Sequence, residues 1–169
     1  RFIIKSSNFC KKSLTDLIRC PQGKIGTYIV AEGTININSF YMCDELTQVV
    51  LPNSVEKIKR SAFEHCRKLE SINLPNNLKE IGEGAFVGSA ITKIKIPDGI
   101  KKIEPRTFDN CQKLKEVTLS EDVKIIGRSA FANCEKLASI NLENIEEIGV
   151  EAFENNKSIT GALSLNNIV

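Results

Sequence analysis

Six cysteines and one histidine carry most of the nucleophilic and soft-metal chemistry open to this 169-residue chain. The cysteines are Cys10, Cys20, Cys43, Cys66, Cys111 and Cys134, and the histidine is His65. A thiolate–imidazole pair needs two side chains that face each other. His65 and Cys66 are chain neighbours, which sends them in different directions. A zinc site wants close pairs such as C-x-x-C, and the chain has none. G-x-S-x-G, P-loop and H-E-x-x-H motifs are also missing. Gly23-Lys24 lacks the upstream glycine and the Ser or Thr of a phosphate loop. Carboxylates are plentiful, but Glu80, Glu104 and Glu147 fall at solvent positions, and no pair converges on a pocket. The expectation is a protein without catalytic residues, cofactor or metal.

Composition narrows the field further. Hydrophobic residues at 41% and charged residues at 26% are ordinary for a soluble globular protein. With 23 basic and 21 acidic side chains, the net charge of +2 is too small for a general nucleic-acid or membrane role. No run approaches the length of a membrane-spanning helix. The chain begins at Arg1 and stops at Val169 within its pattern, so it reads as an excerpt of a longer protein.

That pattern is a repeat, and it must position any functional group. Phenylalanine recurs at Phe40, Phe63, Phe86, Phe108, Phe131 and Phe153, at intervals of 23, 23, 22, 23 and 22. The units begin at Leu46, Leu69, Ile91, Leu114 and Leu137 and follow L-x-x-I-x-L-P-x-x-L-K-x-I-G-x-x-A-F-x-x-C-x-x. The shorter units lose a residue after Phe86 and after Leu142, both loop positions. Tyr28 to Glu45 fits a further unit, with Ile35, Phe40 and Cys43 each 23 residues before a match.

A unit this short cannot bury its own apolar face, whereas stacked units share one core. In Leu69-Glu70-Ser71-Ile72-Asn73-Leu74 the alternation puts Ile72 and Leu74 inside and Ser71 and Asn73 outside. Pro52, Pro75 and Pro97 end their strands. A second short strand follows, as in Leu78-Lys79-Glu80-Ile81. Gly82, Gly127 and Gly149 are expected to allow a bend, and the Ala-Phe segment to form one helical or 3-10 turn that carries Phe inward. Residues 1–27 read as an irregular first rung, with Phe2-Ile3-Ile4 as a strand and Pro21-Gln22-Gly23-Lys24 as a turn. Residues 28–169 read as the array, whose last unit starts in Ser158-Ile159-Thr160-Gly161 and breaks off before its Phe.

These residues resemble the BspA-like leucine-rich repeats, whose unit carries L-x-x-I-x-L-P and then I-G-x-x-A-F-x-x-C. Cys20-Pro21-Gln22-Gly23-Lys24-Ile25-Gly26-Thr27-Tyr28 is similar to a segment that recurs before such arrays, and Ile159-Thr160-Gly161-Ala162-Leu163 to a variant unit. Departures are Ser89 and Asn156 at the Cys position, Lys59 and Glu104 at the Gly position, and Thr107 for Ala. The resemblance implies a right-handed α/β solenoid with a concave parallel sheet, and short strands and helical or 3-10 turns on its other sides. It also implies a surface or secreted protein of mucosal bacteria or protozoan parasites, with adhesion as the attached role.

Four cysteines sit three residues after the repeat Phe, a position the family buries. Stacked side chains there run parallel, and Ser89 interrupts the series, so free thiols are expected. Cys10 and Cys20 lie outside that ladder, and a bridge between them stays open. His65 is expected to face solvent on the convex side. Asn156-Lys157-Ser158 matches a glycosylation sequon, but Asn156 occupies the buried position.

Partner binding, if it occurs, is expected on the outward strand residues of the concave sheet. These are Gln48 and Val50, Ser71 and Asn73, Lys93 and Lys95, Glu116 and Thr118, and Ser139 and Asn141. The set is small and polar, with a central Lys pair and no aromatic anchor of the kind that dominates protein interfaces. Lys93, Lys95, Lys101 and Lys102 form a candidate basic patch, without the interleaved aromatics of a nucleic-acid surface. The reading is a non-catalytic protein-binding module of a surface or secreted protein, with a host-matrix or microbial protein as partner and no nucleic acid or membrane insertion. The alternative is a structural spacer.

Overall fold

Turns every few residues leave no stretch long enough to close the hydrogen bonds of a helix, so each repeat satisfies its backbone on its neighbours. The computed structural model describes residues 12, 13, 16, 17 and 24–159 and is a β-solenoid. Fourteen short strands are found among the described residues and are numbered in chain order. β1 (Lys12–Ser13) pairs antiparallel with β2 (Asp16–Leu17), and every other pairing is parallel.

The front face carries β3 (Gly26–Ile29), β5 (Leu46–Val50) and β7 (Ser71–Ile72) as one sheet. β9 (Lys93–Lys95), β11 (Glu116–Thr118) and β13 (Ser139–Ile140) form a second sheet on it. The side face carries β4 (Asn36–Ile37), β6 (Lys57–Ile58) and β8 (Glu80–Ile81), continuing from β2. A separate side-face sheet contains β10 (Lys102–Ile103), β12 (Ile125–Ile126) and β14 (Glu147–Ile148).

The third side has no strands but is hydrogen-bonded all the same. Ser61, Phe63 and His65 donate their N–H groups to the Glu83, Ala85 and Val87 carbonyls of the next rung at 3.0, 2.7 and 2.7 Å. The same triple recurs from Gly84, Phe86 and Gly88 to Pro105, Thr107 and Asp109 at 3.0, 2.9 and 2.9 Å. This turn face also holds the spine of the core. Phe40, Phe63, Phe86, Phe108 and Phe131 are fully buried. From Phe63 to Phe131 the rings stack 5.3 Å apart within 6° of parallel. Aliphatic columns close the remaining space, among them Val49, Ile72, Ile94, Val117 and Ile140 behind the front face.

Three local expectations need refinement. The Ala-Phe segment makes single i−3 turns that are not continued into a helix. Its N–H to i−3 carbonyl bonds are present, Ala62 to Lys59 at 3.2 Å and Glu64 to Ser61 at 3.2 Å. Ser61 and His65, at φ 54° and 58°, stand in the left-handed region and stop each turn after one bond. Both columns of left-handed residues continue along the solenoid, through Arg106, Ser129 and Glu151 and through Asn110, Asn133 and Asn155. Second, Ile58 is paired with Ile37 and not with the rung position of Ile35. The chain therefore reaches Phe40 two residues sooner after its strand than it reaches Phe63.

The third refinement concerns the repeat glycines. Gly82, Gly127 and Gly149 do not have positive φ. They are needed because the previous rung's backbone passes where a Cβ would be. A Cβ on Gly82 would lie 2.5 Å from the Arg60 nitrogen, and one on Gly149 2.5 Å from the Arg128 nitrogen. Phe2–Ile4, Cys10, Cys20, Pro21–Gly23 and the unit continuing beyond Ile159 lie outside the described residues.

Candidate functional site

Outward residues of the front strands form a row of side chains that the fold repeats from rung to rung and leaves largely exposed. Gln48 and Val50 project from β5, Ser71 from β7, Lys93 and Lys95 from β9, Glu116 and Thr118 from β11, and Ser139 from β13. Asn73 and Asn141 stand immediately beyond β7 and β13.

The ten are not chemically equivalent. Asn73 receives the Leu51 N–H on its Oδ1 and donates its Nδ2 to the Leu51 carbonyl, both at 2.9 Å. Asn141 does the same to Leu119 at 2.8 and 3.0 Å. Each carboxamide thus takes the place of a peptide unit and extends a ladder whose own backbone has turned away. Lys93 pairs with Glu116 at 2.7 Å, with both side chains well exposed. Gln48 accepts a hydrogen bond from Thr27. The side chains of Ser71, Lys95, Thr118 and Ser139 make no hydrogen bond or ion pair among the described residues, and Val50 is half-buried.

The candidate basic patch does not assemble. Lys101 and Lys102 belong to the side face, where they pair with Asp122 at 2.7 Å and Glu104 at 3.1 Å. Asp122 also accepts the Gly99 N–H at 2.8 Å, and these two donors, Lys101 first, hold its carboxyl below the usual range. Glu80 binds Lys57 and Lys59 on the same side face.

His65 is on the turn face and is half-buried rather than fully facing solvent. Its ring lies between neighbouring rungs, 6.1 Å from Tyr41 of the preceding rung and beside Gly88 of the following one. Cys66 points the other way and donates its thiol to the Phe40 carbonyl at 3.0 Å. Cys111 and Cys134 bond the Phe86 and Phe108 carbonyls, both at 3.1 Å. Where the ladder departs from Cys, Asn156 makes the thiol's bond to the preceding Phe carbonyl, and Ser89 instead contacts the next thiol. Ser89 Oγ lies 3.4 Å from Cys111 Sγ, and Asn156 donates to the Phe131 carbonyl at 2.8 Å. Cys43, Cys66, Cys111 and Cys134 are free thiols.

Burial pushes the thiols of Cys66 and Cys111 from the ordinary 9.0 up to about 12, and that of Cys134 upward as well. The folded state keeps these protons where the unfolded chain loses them. Stability is therefore full below the ordinary thiol pKa and falls as pH rises from 9.0 toward about 12. Urea midpoints measured across that window should decline, and a triple Ala variant at these cysteines should decline less. Below it, a disulfide reagent should leave all three thiols unmodified until denaturant is added.

No helix of the described residues is long and apolar enough to cross a membrane. Six copies of the BspA type leucine rich repeat region match residues 33–160. Among solved structures, the chain is similar to the leucine-rich repeat protein of T. pallidum, at 22% identity and a TM-score of 0.69, over 83% of this chain and 80% of that one. It is similar to the pneumococcal vaccine antigen PcpA, at 25% identity and a TM-score of 0.62, over 88% of this chain and 36% of that one. A Bacteroides ovatus leucine-rich repeat protein matches at 23% identity and a TM-score of 0.58, over 88% of this chain and 55% of that one. No curated protein sequence matches the chain.

Proposed function

Because the chain belongs to the BspA-type leucine-rich repeat family, we propose that it is a non-catalytic protein-binding module of a cell-surface or secreted protein, with the front face as its recognition surface. The observation that carries the reading is the row Ser71, Lys95, Thr118 and Ser139, whose exposed polar side chains have no partner among the described residues, on a backbone fixed by ladders and a buried core. The Phe rings repeat at 5.3 Å, against about 4.8 Å for neighbouring strands. A stack wider at the turn face bends with the front face inward, which supports a concave surface. The similarity to a pneumococcal vaccine antigen supports surface exposure, and adhesion to host or microbial proteins is the role proposed for that surface.

A spacer role is the second reading, favoured by a specific observation. Asn73, Asn141 and the Lys93–Glu116 pair use front-face groups to hold rung to rung. Titration of the chain against mucosal and extracellular-matrix proteins separates the two. Lys95→Glu is expected to weaken a genuine front-face interaction by about tenfold or more. Lys102→Glu, on the side face, should leave it unchanged. Equal binding by both variants, or none by the unaltered chain, would move the balance to the spacer.

A further inference from the structure

Both ladders of the solenoid stop at one and the same boundary, between the rung that starts at Leu69 and the rung that starts at Ile91. On the front face β7 and β9 belong to different sheets, and on the side face so do β8 and β10. The backbone bond that opens each front-face pairing shows the same gap. It measures 2.9 Å from Glu70 to Thr47, 2.8 Å from Lys115 to Thr92 and 3.0 Å from Ala138 to Lys115, but 3.4 Å from Thr92 to Glu70. On the side face the N–H groups of Lys59, Gly82, Gly127 and Gly149 bond the preceding rung at 2.9, 2.8, 2.8 and 2.7 Å. Glu104, the equivalent residue at this boundary, has no such bond among the described residues.

Two departures in the sequence account for the two openings. The rung from Leu69 is a residue short after Phe86. The chain therefore enters β9 early, without the N–H bond that Leu69, Leu114 and Leu137 make to the carbonyl three residues back. On the side face, Glu104 occupies the glycine position. Where the preceding rung has a full turn there, a Cβ would lie 2.5–2.7 Å from its backbone nitrogen, at Gly82, Gly127 and Gly149 alike. Glu104 carries that Cβ, so its rung stands off. Lys59 escapes the conflict because the rung before it lacks the two-residue turn.

The turn face crosses this boundary intact. Its three backbone bonds measure 3.0, 2.9 and 2.9 Å, and Phe86 stacks on Phe108 at 5.3 Å and 3°. One surface clasp spans the gap. The shortened turn has removed the rung residue that would face Glu70, and Lys113 reaches across from the following rung to pair with it at 3.1 Å.

We infer that this boundary is a flexure: two stiff stacks of rungs hinge about the Phe and turn-face spine, opening and closing the front face between Ser71 and Lys93. That such opening adapts the front face to a partner rests on the binding-module reading; the flexure itself does not.

Residue-resolved amide exchange on the whole chain, without any partner, tests it. The amides of Thr92 and Glu104 are expected to exchange at least about tenfold faster than those of Lys115 and Gly127. Glu104→Gly should slow exchange at position 104 to the rate at Gly127. Glu104→Ala removes the same carboxylate and the Lys102 pair but keeps the Cβ, so it should leave the fast rate in place. Uniform protection across the four amides of the unaltered chain would overturn the flexure, and so would an equal response of exchange at position 104 to Gly and Ala. Neither result bears on whether the front face binds a protein.

Discussion

Phe108→Ala is expected to cost about 3–5 kcal/mol, the range for emptying a buried phenylalanine site. The ring is fully buried and stacked at 5.3 Å on Phe86 and on Phe131. Its neighbours cannot close over the void, because each is held in its own rung by turn-face bonds. Phe131→Ala should cost a similar amount, but the two losses differ in kind. In a solenoid, stability is a sum of rung terms and nearest-neighbour interfaces. Phe108 belongs to the interface where both ladders are already open, so its removal takes away much of what couples the two stacks. Thermal unfolding of Phe108→Ala should broaden or divide into two steps, while Phe131→Ala should shift a single step downward. Identical curves for the two variants would show that the boundary couples as strongly as its neighbours do.

Gly127→Ala should cost about 3 kcal/mol, at the upper end for overpacking. The added methyl would meet the Pro105 nitrogen at 2.7 Å and the Glu104 carbon and Ile103 oxygen at 2.9 Å. All three are backbone atoms, so no side-chain rotation relieves the contact. The rung must move away and forfeit its 2.8 Å bond from Gly127 to Ile103. Gly33→Ala provides the contrast. Nothing lies within 4 Å of its Cβ position, and only its φ of +82° opposes the change. A loss of about 1 kcal/mol is expected there. Urea midpoints of the two variants should differ clearly in that order. Similar losses would mean that backbone conformation, not contact with the previous rung, makes Gly127 necessary.

The sequence made the architecture legible because one short pattern recurs. The spacing from Phe40 to Phe153 gives the ring column, and the alternation around Ile72 gives the inward and outward sets. The reason for Gly82, Gly127 and Gly149 was hidden, because contact with another rung leaves no local mark. A glycine that bends a chain and one that is passed closely by another rung look the same in one dimension. The left-handed column of Ser61, Arg106, Ser129 and Glu151 was hidden for a related cause, because none of these types favours positive φ, whereas His65, Asn110, Asn133 and Asn155 in the other column are types enriched there. On the front face, alternation located Asn73 and Asn141 as outward residues, yet gave no sign that their amides fold back onto Leu51 and Leu119. The departures at Ser89 and Asn156 looked like lost ladder members. In the structure each is a polar side chain bonded in place of a thiol, or to one.

The column of parallel phenylalanine rings makes this protein legible by light. The chain has no tryptophan and two tyrosines, Tyr28 and Tyr41, both near the first ring of the column. Rings held at 5.3 Å with nearly common planes sit in fixed, asymmetric surroundings. The fine structure of phenylalanine in near-ultraviolet circular dichroism, usually submerged under tryptophan, should therefore report the loss of that fixed packing.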